Sequence, residues 1–504
     1  MDKIFNTDKR IRLGILGLGR GGVFVKAANA LNIDVVAGCD LNADLREKFR
    51  ASCPDAMITD DENEFFNFKD MDAVLIATYF TSHAEHTIRA LENGLHVMCE
   101  VSSFFTPAEG VRVVEAVEKS GKVYNLLENY PFTKENMFLK KLWDEGFFGE
   151  FQYGEFEYLH DCRTLCYCYN AAGSPPVEPG YQAHSWRAHL DFHYYATHSL
   201  GPLMKITGLR PEKITALPEK VALPGFLPGS GMAKPCPSLI QMSNGGLMRN
   251  LTGATTGNYH MGKRIWGTRA SAESLEGDLK IRVGATGSGT PLKITPAWPE
   301  LGEYADAHGH GGGDFWELYY FAREILFGTP APWDIYHAAD VTLAGIMAVR
   351  SHENGGQVME IPDFRDKSVR DKYRNDNFRM TLPFEPDKIF PDGHDKAETS
   401  KFNQLMRDLL KNATNLRRAI DGAKLYSSLT NDQDRLEVAK LLNLAISELP
   451  ETGKYFAEAE KLAGLYPDSP AAYALHGAMS LIADDLTENI ETELKSSLAK
   501  TLEK

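Results

Sequence analysis

The sequence lacks any apolar run long enough to cross a bilayer. The stretch Leu13 to Leu18 is apolar but short and broken by glycine. It is also poor in cationic charge, with 54 Lys and Arg against 69 Asp and Glu, a formal net charge of −15 over 504 residues. A surface of that sign repels phosphate backbones and anionic headgroups, so neither nucleic acid nor a membrane is expected as a partner. Cysteine is scarce and odd in number, at seven. Cys39, Cys53, Cys99 and Cys236 are scattered, whereas Cys162, Cys166 and Cys168 cluster after His160 and Asp161. No second CxxC or HxxxH element completes a zinc-type set. A reduced chain is expected, with no disulfide and no metal, its clustered thiols buried or half-buried at a strand edge. The first residues have no apolar h-region and no cleavage signature, which predicts a cytoplasmic protein. Repetition is missing too. The segment 454–483 resembles one helix–turn–helix unit around Pro467 and Pro470, and one unit is not an array.

What is present is the mix of a globular protein, 43% hydrophobic and 24% charged. The length calls for roughly two to four domains. Residues 12–19 form a short apolar run ending in glycines, as in a strand buried on both faces. Helical periodicity follows over 21–31, then a strand over 34–40 and a helix over 43–51. Strands are predicted over 72–78, 96–101 and 122–129. Helices are predicted over 83–93, with Gly94 as its cap, and over 107–120, with Pro107 in its first turn. That alternation predicts a parallel α/β sheet. After about residue 150 the pattern changes. Phe151–Leu159 alternates like a strand with one wet face, residues 170–181 read as a loop, and 211–300 hold several β-like runs. Helical periodicity returns at 312–327 and 337–349. The tail from Ala397 is rich in Ala, Leu, Lys and Glu, with Leu405, Leu409, Leu410 and Ala413 on one helical face. The expected fold class is α/β: a doubly wound parallel sheet over 1–130, an α+β domain with a largely antiparallel sheet over 131–380, and a helical extension over 395–504.

The run Gly17-Leu18-Gly19-Arg20-Gly21-Gly22 fits G-x-G-x-x-G between a strand and a helix. The first glycine makes the turn, the second lets backbone approach a pyrophosphate, and the third allows close helix–strand packing. Asp40 closes the second strand about 20 residues further on, where a carboxylate accepts ribose hydroxyls and repels a 2′-phosphate. The pair predicts a Rossmann domain that binds NAD rather than NADP.

Further motifs follow. They are Ala73-Val74-Leu75-Ile76-Ala77-Thr78, His83, Ala90-Leu91-Glu92-Asn93-Gly94-Leu95-His96-Val97 and Glu100. Over roughly 11–365 the chain resembles the Gfo/Idh/MocA oxidoreductases. Most members place Lys-Pro after the glutamate; here the run is Glu100-Val101-Ser102. Other segments resemble glycoside hydrolase family 109, the NAD-dependent glycosidases typified by α-N-acetylgalactosaminidases. These are Glu128-Asn129-Tyr130, Tyr158-Leu159-His160-Asp161, Trp186-Arg187, Tyr195-Ala196-Thr197-His198-Ser199-Leu200-Gly201-Pro202 and His308-Gly309-His310-Gly311-Gly312-Gly313-Asp314. The resemblance implies that Glu128, Tyr158, Tyr195 and His198 are catalytic. It implies that His160, Arg187 and His310 bind the sugar, and that Gly17, Gly19, Arg20, Gly22, Asp40, Thr78, His83 and Glu100 hold NAD. The connection from Arg187 to His198 is shorter than the family's usual one, and the helical tail is outside the pattern.

Ordinary glycosidases use two carboxylates; NAD-dependent ones do not. A route through transient oxidation at C3 needs a base at O3, a base at C2 and an acid at the leaving oxygen. His198 with Tyr195 suits O3. Glu128, at the end of a strand where open sheets bind ligands, and Tyr158 are then expected to move the other protons. Two rival readings stand beside this one: a sugar or cyclitol dehydrogenase, and a non-catalytic NAD-binding sensor or scaffold. The expected partner is a small carbohydrate, and a homo-oligomer is expected from a half-exposed antiparallel sheet.

Overall fold

The structure is a computed structural model. It describes residues 4–163, 166, 190–226, 229–255, 261–275, 277–284, 290–381, 390–391, 393 and 395–503. These fall into two compact units.

The first unit holds two sheets. One is parallel, with six strands: β1 (Ile11–Leu16), β2 (Ile33–Cys39), β3 (Met57–Thr59), β4 (Ala73–Ile76), β5 (His96–Glu100) and β6 (Tyr124–Leu127). Their order is β3-β2-β1-β4-β5-β6, the doubly wound arrangement with a switch point between β1 and β4. Every residue of β4 and β6 is buried, which is why these strands read as unbroken apolar runs. The edge strand β3 was not predicted; three residues are too few to show a period. The helix Pro107–Ser120 begins as expected, with Pro at its first turn and a Thr106–Glu109 capping box. Gly94 is left-handed one residue beyond the cap Asn93 of the helix His83–Glu92.

Among the described residues the second sheet has nine strands, in the order β14 (Leu292–Ile294), β13 (Leu279–Val283), β12 (Ala270–Ser274), β11 (Lys263–Gly267), β7 (Phe151–Leu159), β10 (Leu247–Gly253), β9 (Pro235–Met242), β8 (Pro211–Thr215) and β15 (Met359–Glu360). The central ones are β7, β9, β10 and β11. β7 and β10 pair in parallel, and the other described pairings are antiparallel. Phe156 and Tyr158 of β7 are buried, while Glu155 and Glu157 on the other face are half-exposed. The helix Thr197–Thr207 packs on β7. The helices Gly313–Phe327 and Ile335–Glu353 match the periodicity seen in the sequence.

The second unit gathers Asp161–Leu190, Val221–Ala233 and Leu382–Lys504. Among the described residues its α-helices of more than one turn are Lys396–Leu425, Asp432–Leu465, Pro470–Met479 and Ile490–Leu502. Leu405, Leu409, Leu410 and Ala413 are buried as their spacing predicted. Leu416, Leu442, Ile482 and Leu494 form a shared core. Cys162 and Cys166 are buried in this unit, past the end of β7 and not on a strand edge; Cys168 lies outside the described residues. Among the described residues, no helix is long and apolar enough to cross a membrane.

Candidate active site

The glycine turn sits at the β1–β4 switch point. Gly17 has φ +92°, and a Cβ there would stand 2.4 Å from the Ala77 carbonyl oxygen, so only glycine lets β1 turn beside the end of β4. Close helix–strand packing belongs to Gly21, not to Gly22 as its place in the motif suggested. A Cβ on Gly21 would lie 2.5 Å from Ile15 Cγ2, whereas one on Gly22 would meet nothing within 4 Å. The Gly19 position is also open, the nearest atom to a Cβ being Leu45 Cδ1 at 3.7 Å. The fold therefore does not need glycine at 19, but a close-lying pyrophosphate would. Thr78 stands beside this turn and shares its hydroxyl with Ser82 at 3.2 Å and His86 Nδ1 at 3.0 Å.

Asp40 follows β2, and its carboxylate accepts the Leu18 N–H at 2.7 Å and the Asn42 N–H at 2.8 Å. Burial pushes this carboxyl above its ordinary value, and those backbone donors partly offset the rise. The nearby cation, Arg46, directs Nη1 to the Asp40 carbonyl and pairs with Asp60 at 3.0 Å. Bare backbone at Gly19 and a carboxylate at the end of β2 fit NAD.

Three residues expected to touch the cofactor are also tied to other parts of the protein. Arg20 donates Nε to Glu100 Oε1 at 2.6 Å and Nη2 to Asp314 Oδ1 at 2.7 Å. Its guanidinium also stacks 4.7 Å over the Phe24 ring. Arg20 and Glu100 thus form a tie from the glycine turn to the helix Gly313–Phe327. Burial works against the charge on Asp314, yet hydrogen bonds from His310 and Arg20 hold its carboxyl well below the ordinary range. His83 is buried, with Nδ1 2.8 Å from the Ser102 carbonyl and Nε2 3.1 Å from that of Thr78. Burial pushes its pKa down and the two carbonyls oppose the fall, and the ring braces the loops after β4 and β5. It makes no side-chain cap for its helix.

The expected catalytic residues come together. His198 lies in the first turn of the helix Thr197–Thr207. Its Nδ1 is 2.9 Å and 3.0 Å from the two carboxylate oxygens of Glu128. Glu128 follows β6, is 0% exposed, and also accepts the Tyr130 N–H at 3.3 Å. Glu128 lies at the end of a parallel strand as expected, and its carboxylate stands against the imidazole of His198. Ring centroids of Tyr158, Tyr130 and Tyr195 lie 4.6, 4.8 and 5.6 Å from that of His198. Tyr158 reaches there because it shares the buried face of β7 with Phe156.

The Leu-Gly-Pro that follows has a steric reason. A Cβ on Gly201 would press on Glu128 Cγ at 3.2 Å and Pro131 Cγ at 3.3 Å. Glycine therefore lets the helix close on the turn that carries Glu128.

His310 lies 3.0 Å from both Asp314 oxygens, its ring 6.1 Å from that of Tyr130. His160 follows β7, its ring 6.1 Å from that of Tyr158. Arg187 lies outside the described residues. No role for Tyr130, Asp314 or Glu317 is predicted from sequence. The first two stand inside quoted motifs, but Glu317 carries no local signal. It is fully buried, neither carboxylate oxygen is hydrogen-bonded, and Arg20 Nη2 is 4.0 Å away.

Comparison with known proteins agrees with this geometry. Residues 11–127 match the family model described as the oxidoreductase family, NAD-binding Rossmann fold. Residues 294–371 match the glycosyl hydrolase 109 C-terminal domain. The chain joins a Gfo/Idh/MocA NAD-binding domain to a glycosyl hydrolase 109 C-terminal domain. The first of these domains contains the glycine turn and Asp40, and the second contains His310, Asp314 and Glu317. A glycosyl hydrolase family 109 protein of Saccharopolyspora erythraea is 25% identical, over 72% of this chain and 85% of its own. An alpha-N-acetylgalactosaminidase of Tannerella forsythia is 26% identical, over 71% and 87%. Among solved structures, a levoglucosan dehydrogenase in complex with NADH and L-sorbose shares the fold, with TM-score 0.57 and 19% identity, over 71% of this chain and 100% of its own. An inositol dehydrogenase homolog from Azotobacter vinelandii, complexed with NADH and myo-inositol, gives TM-score 0.56 and 19% identity, over 71% and 99%.

Proposed function

We propose that the chain is an NAD-dependent glycoside hydrolase acting on N-acetylgalactosaminides or related neutral glycosides. The observation that carries this reading is the buried Glu128–His198 pair ringed by Tyr130, Tyr158 and Tyr195. The family 109 relatives support the same reading. NAD, when bound, supplies reversible oxidation at C3, which acidifies the C2 proton and lets the C1 substituent leave before water adds and the hydride returns.

The chain's own residues move the protons. Glu128 fixes the His198 ring through Nδ1 and stabilises its cationic form, so Nε2 is the atom that takes the O3 proton. Tyr195 shares that transfer. Tyr158, on the sheet side, serves the C2 or leaving-group proton. The three tyrosine faces cover the apolar face of a pyranose and exclude water. His160, His310 and Arg187 are assigned to sugar hydroxyls. The backbone at Gly17 and Gly19, with Asp40 and Thr78, holds the dinucleotide. Val101 stands where most family members have lysine, so the proton relay falls to His198.

The exposed Leu239, Leu247 and Trp266 on the outer face of the second sheet, with Trp266 stacked 5.1 Å from Tyr153, support a homo-oligomer through that face. Cys39, Cys53, Cys99 and Cys236 are not in disulfides, which supports a cytoplasmic location.

A panel of aryl glycosides tests the reaction. Aryl alcohol release without net NADH is expected, and His198→Ala should abolish it while NAD stays bound. Steady accumulation of NADH would establish the dehydrogenase instead, and no turnover of either kind across the panel would establish a binding protein.

A further inference from the structure

The segment that delivers Tyr195 and His198 opens on a second group of ligand-type side chains, which the proposed chemistry does not use. Asp191, His193 and His352 each offer one donor atom, and the three atoms lie within 4.8 Å of one another. Asp191 and His193 belong to the start of the 3-10 stretch Phe192–Tyr195. His352 comes from the last turn of the helix Ile335–Glu353. His193 Nδ1 is 2.9 Å from Asp191 Oδ1, and His352 Nδ1 is 3.4 Å from Asp191 Oδ2. Two ligands each about 2.0–2.1 Å from a tetrahedral ion stand about 3.3 Å apart, so these separations are of the size an ion would set.

Hydrogen bonding alone leaves this cluster unsatisfied. His352 Nδ1 is buried and makes no hydrogen bond, even with a carboxylate oxygen so near. Buried polar groups without partners are rare. A fourth donor is close: Cys236 Sγ, at the start of β9, lies 3.8 Å from Asp191 Oδ1.

We propose that Asp191, His193, His352 and Cys236 form a structural zinc site. The donor set of one oxygen, two imidazole nitrogens and one sulfur suits zinc, whereas calcium and magnesium favour oxygen throughout. The four residues come from the 3-10 stretch, the end of a helix and the start of a strand. A bound ion pins those three elements just upstream of Tyr195 and His198. These ligands do not repeat at a fixed spacing, and none of them belongs to the Cys162, Cys166 and Cys168 cluster that the sequence singles out. Only the Asp-x-His pair is local, and its partners are remote in sequence.

The test is metal analysis of the full chain after dialysis against metal-free buffer, followed by cobalt substitution. About one zinc per chain is expected, as one four-residue set binds one ion. The cobalt form should show the visible absorption of a tetrahedral site and a thiolate charge-transfer band that Cys236→Ser removes. His352→Ala should lose the metal while keeping its circular dichroism, since His352 is the most exposed of the three clustered side chains, at 16%. A chelator should lower the melting temperature of the wild type and leave that of His352→Ala unchanged. A wild-type chain that takes up no zinc from an equimolar solution would overturn the proposal, and so would a His352→Ala chain that retains wild-type zinc. A cobalt spectrum unchanged by Cys236→Ser would overturn the sulfur ligand.

Discussion

His198 presents Nδ1 to both oxygens of Glu128, at 2.9 and 3.0 Å, with no solvent on the carboxylate. A charge buried against a single imidazole sets which ring nitrogen carries the proton. Glu128→Gln keeps the shape and removes the charge. Turnover of an aryl glycoside is expected to fall about 10²–10⁴-fold through kcat, with NAD affinity unchanged by titration calorimetry. Near-wild-type turnover would show that the carboxylate does not act through His198.

Gly201→Ala tests the same pair from the other side. The added Cβ presses on Glu128 Cγ and Pro131 Cγ. Overpacking of this kind costs about 1–3 kcal/mol, measurable by denaturant unfolding. The kcat should drop by more than the lost stability accounts for, because Glu128 is displaced from the imidazole.

Asp40→Ala should weaken NAD binding. Hydrogen bonds to a charged group contribute about 1.5–3 kcal/mol, or about 10- to 100-fold in Kd. The same change should improve the relative affinity for NADP, since the carboxylate that repels a 2′-phosphate is gone. An unchanged NAD to NADP ratio by fluorescence titration would remove Asp40 from the cofactor site.

Glu317 gives a pH signature. Burial pushes its carboxyl well above the ordinary range, Asp314 adds to the rise, and Arg20 only partly opposes it. A carboxyl whose folded value is raised contributes its full stability below the unfolded value, about 4.3. That contribution is lost as pH rises through the folded value. Glu317→Gln imitates the protonated form at every pH. Its melting temperature should therefore decline less than that of the wild type from mildly acidic to alkaline buffer. Parallel decline of the two proteins would mean that Glu317 is ionised throughout.

Trp266→Glu places a charge on the outer face of the second sheet, where Trp266 is exposed and Leu239 and Leu247 accompany it. Light scattering should report a smaller assembly than for the wild type, with the fold retained by circular dichroism. An unchanged mass would locate the interface elsewhere.

Much of this was legible in sequence because it rests on local patterns. The runs that became β1, β2 and β4 are apolar apart from Arg12 and Asp34, since both faces of a parallel sheet are largely covered, and β7 alternates because one face is wet. The Tyr195–His198 spacing lies within one chain segment, so its members can be named before any coordinates exist. What was not legible is long-range. Nothing near Arg20 reveals that Asp314 will meet it. Nothing near Gly22 shows that Gly21 is the glycine packed against β1. The approach of Glu128 to His198 depends on two elements closing over a missing methyl at Gly201. The cluster of Asp191 with His352 needs a helix end and a turn to converge.

The tie between Arg20 and Asp314 also bears on how the dinucleotide is held. A guanidinium already neutralised by two carboxylates offers little attraction to a diphosphate. A diphosphate bound at this turn would rest on main-chain N–H groups, whose dipoles are fixed by the fold and need no mobile counter-charge. Affinity held in that way changes little with ionic strength, and the cofactor can stay seated through many catalytic cycles while sugars come and go.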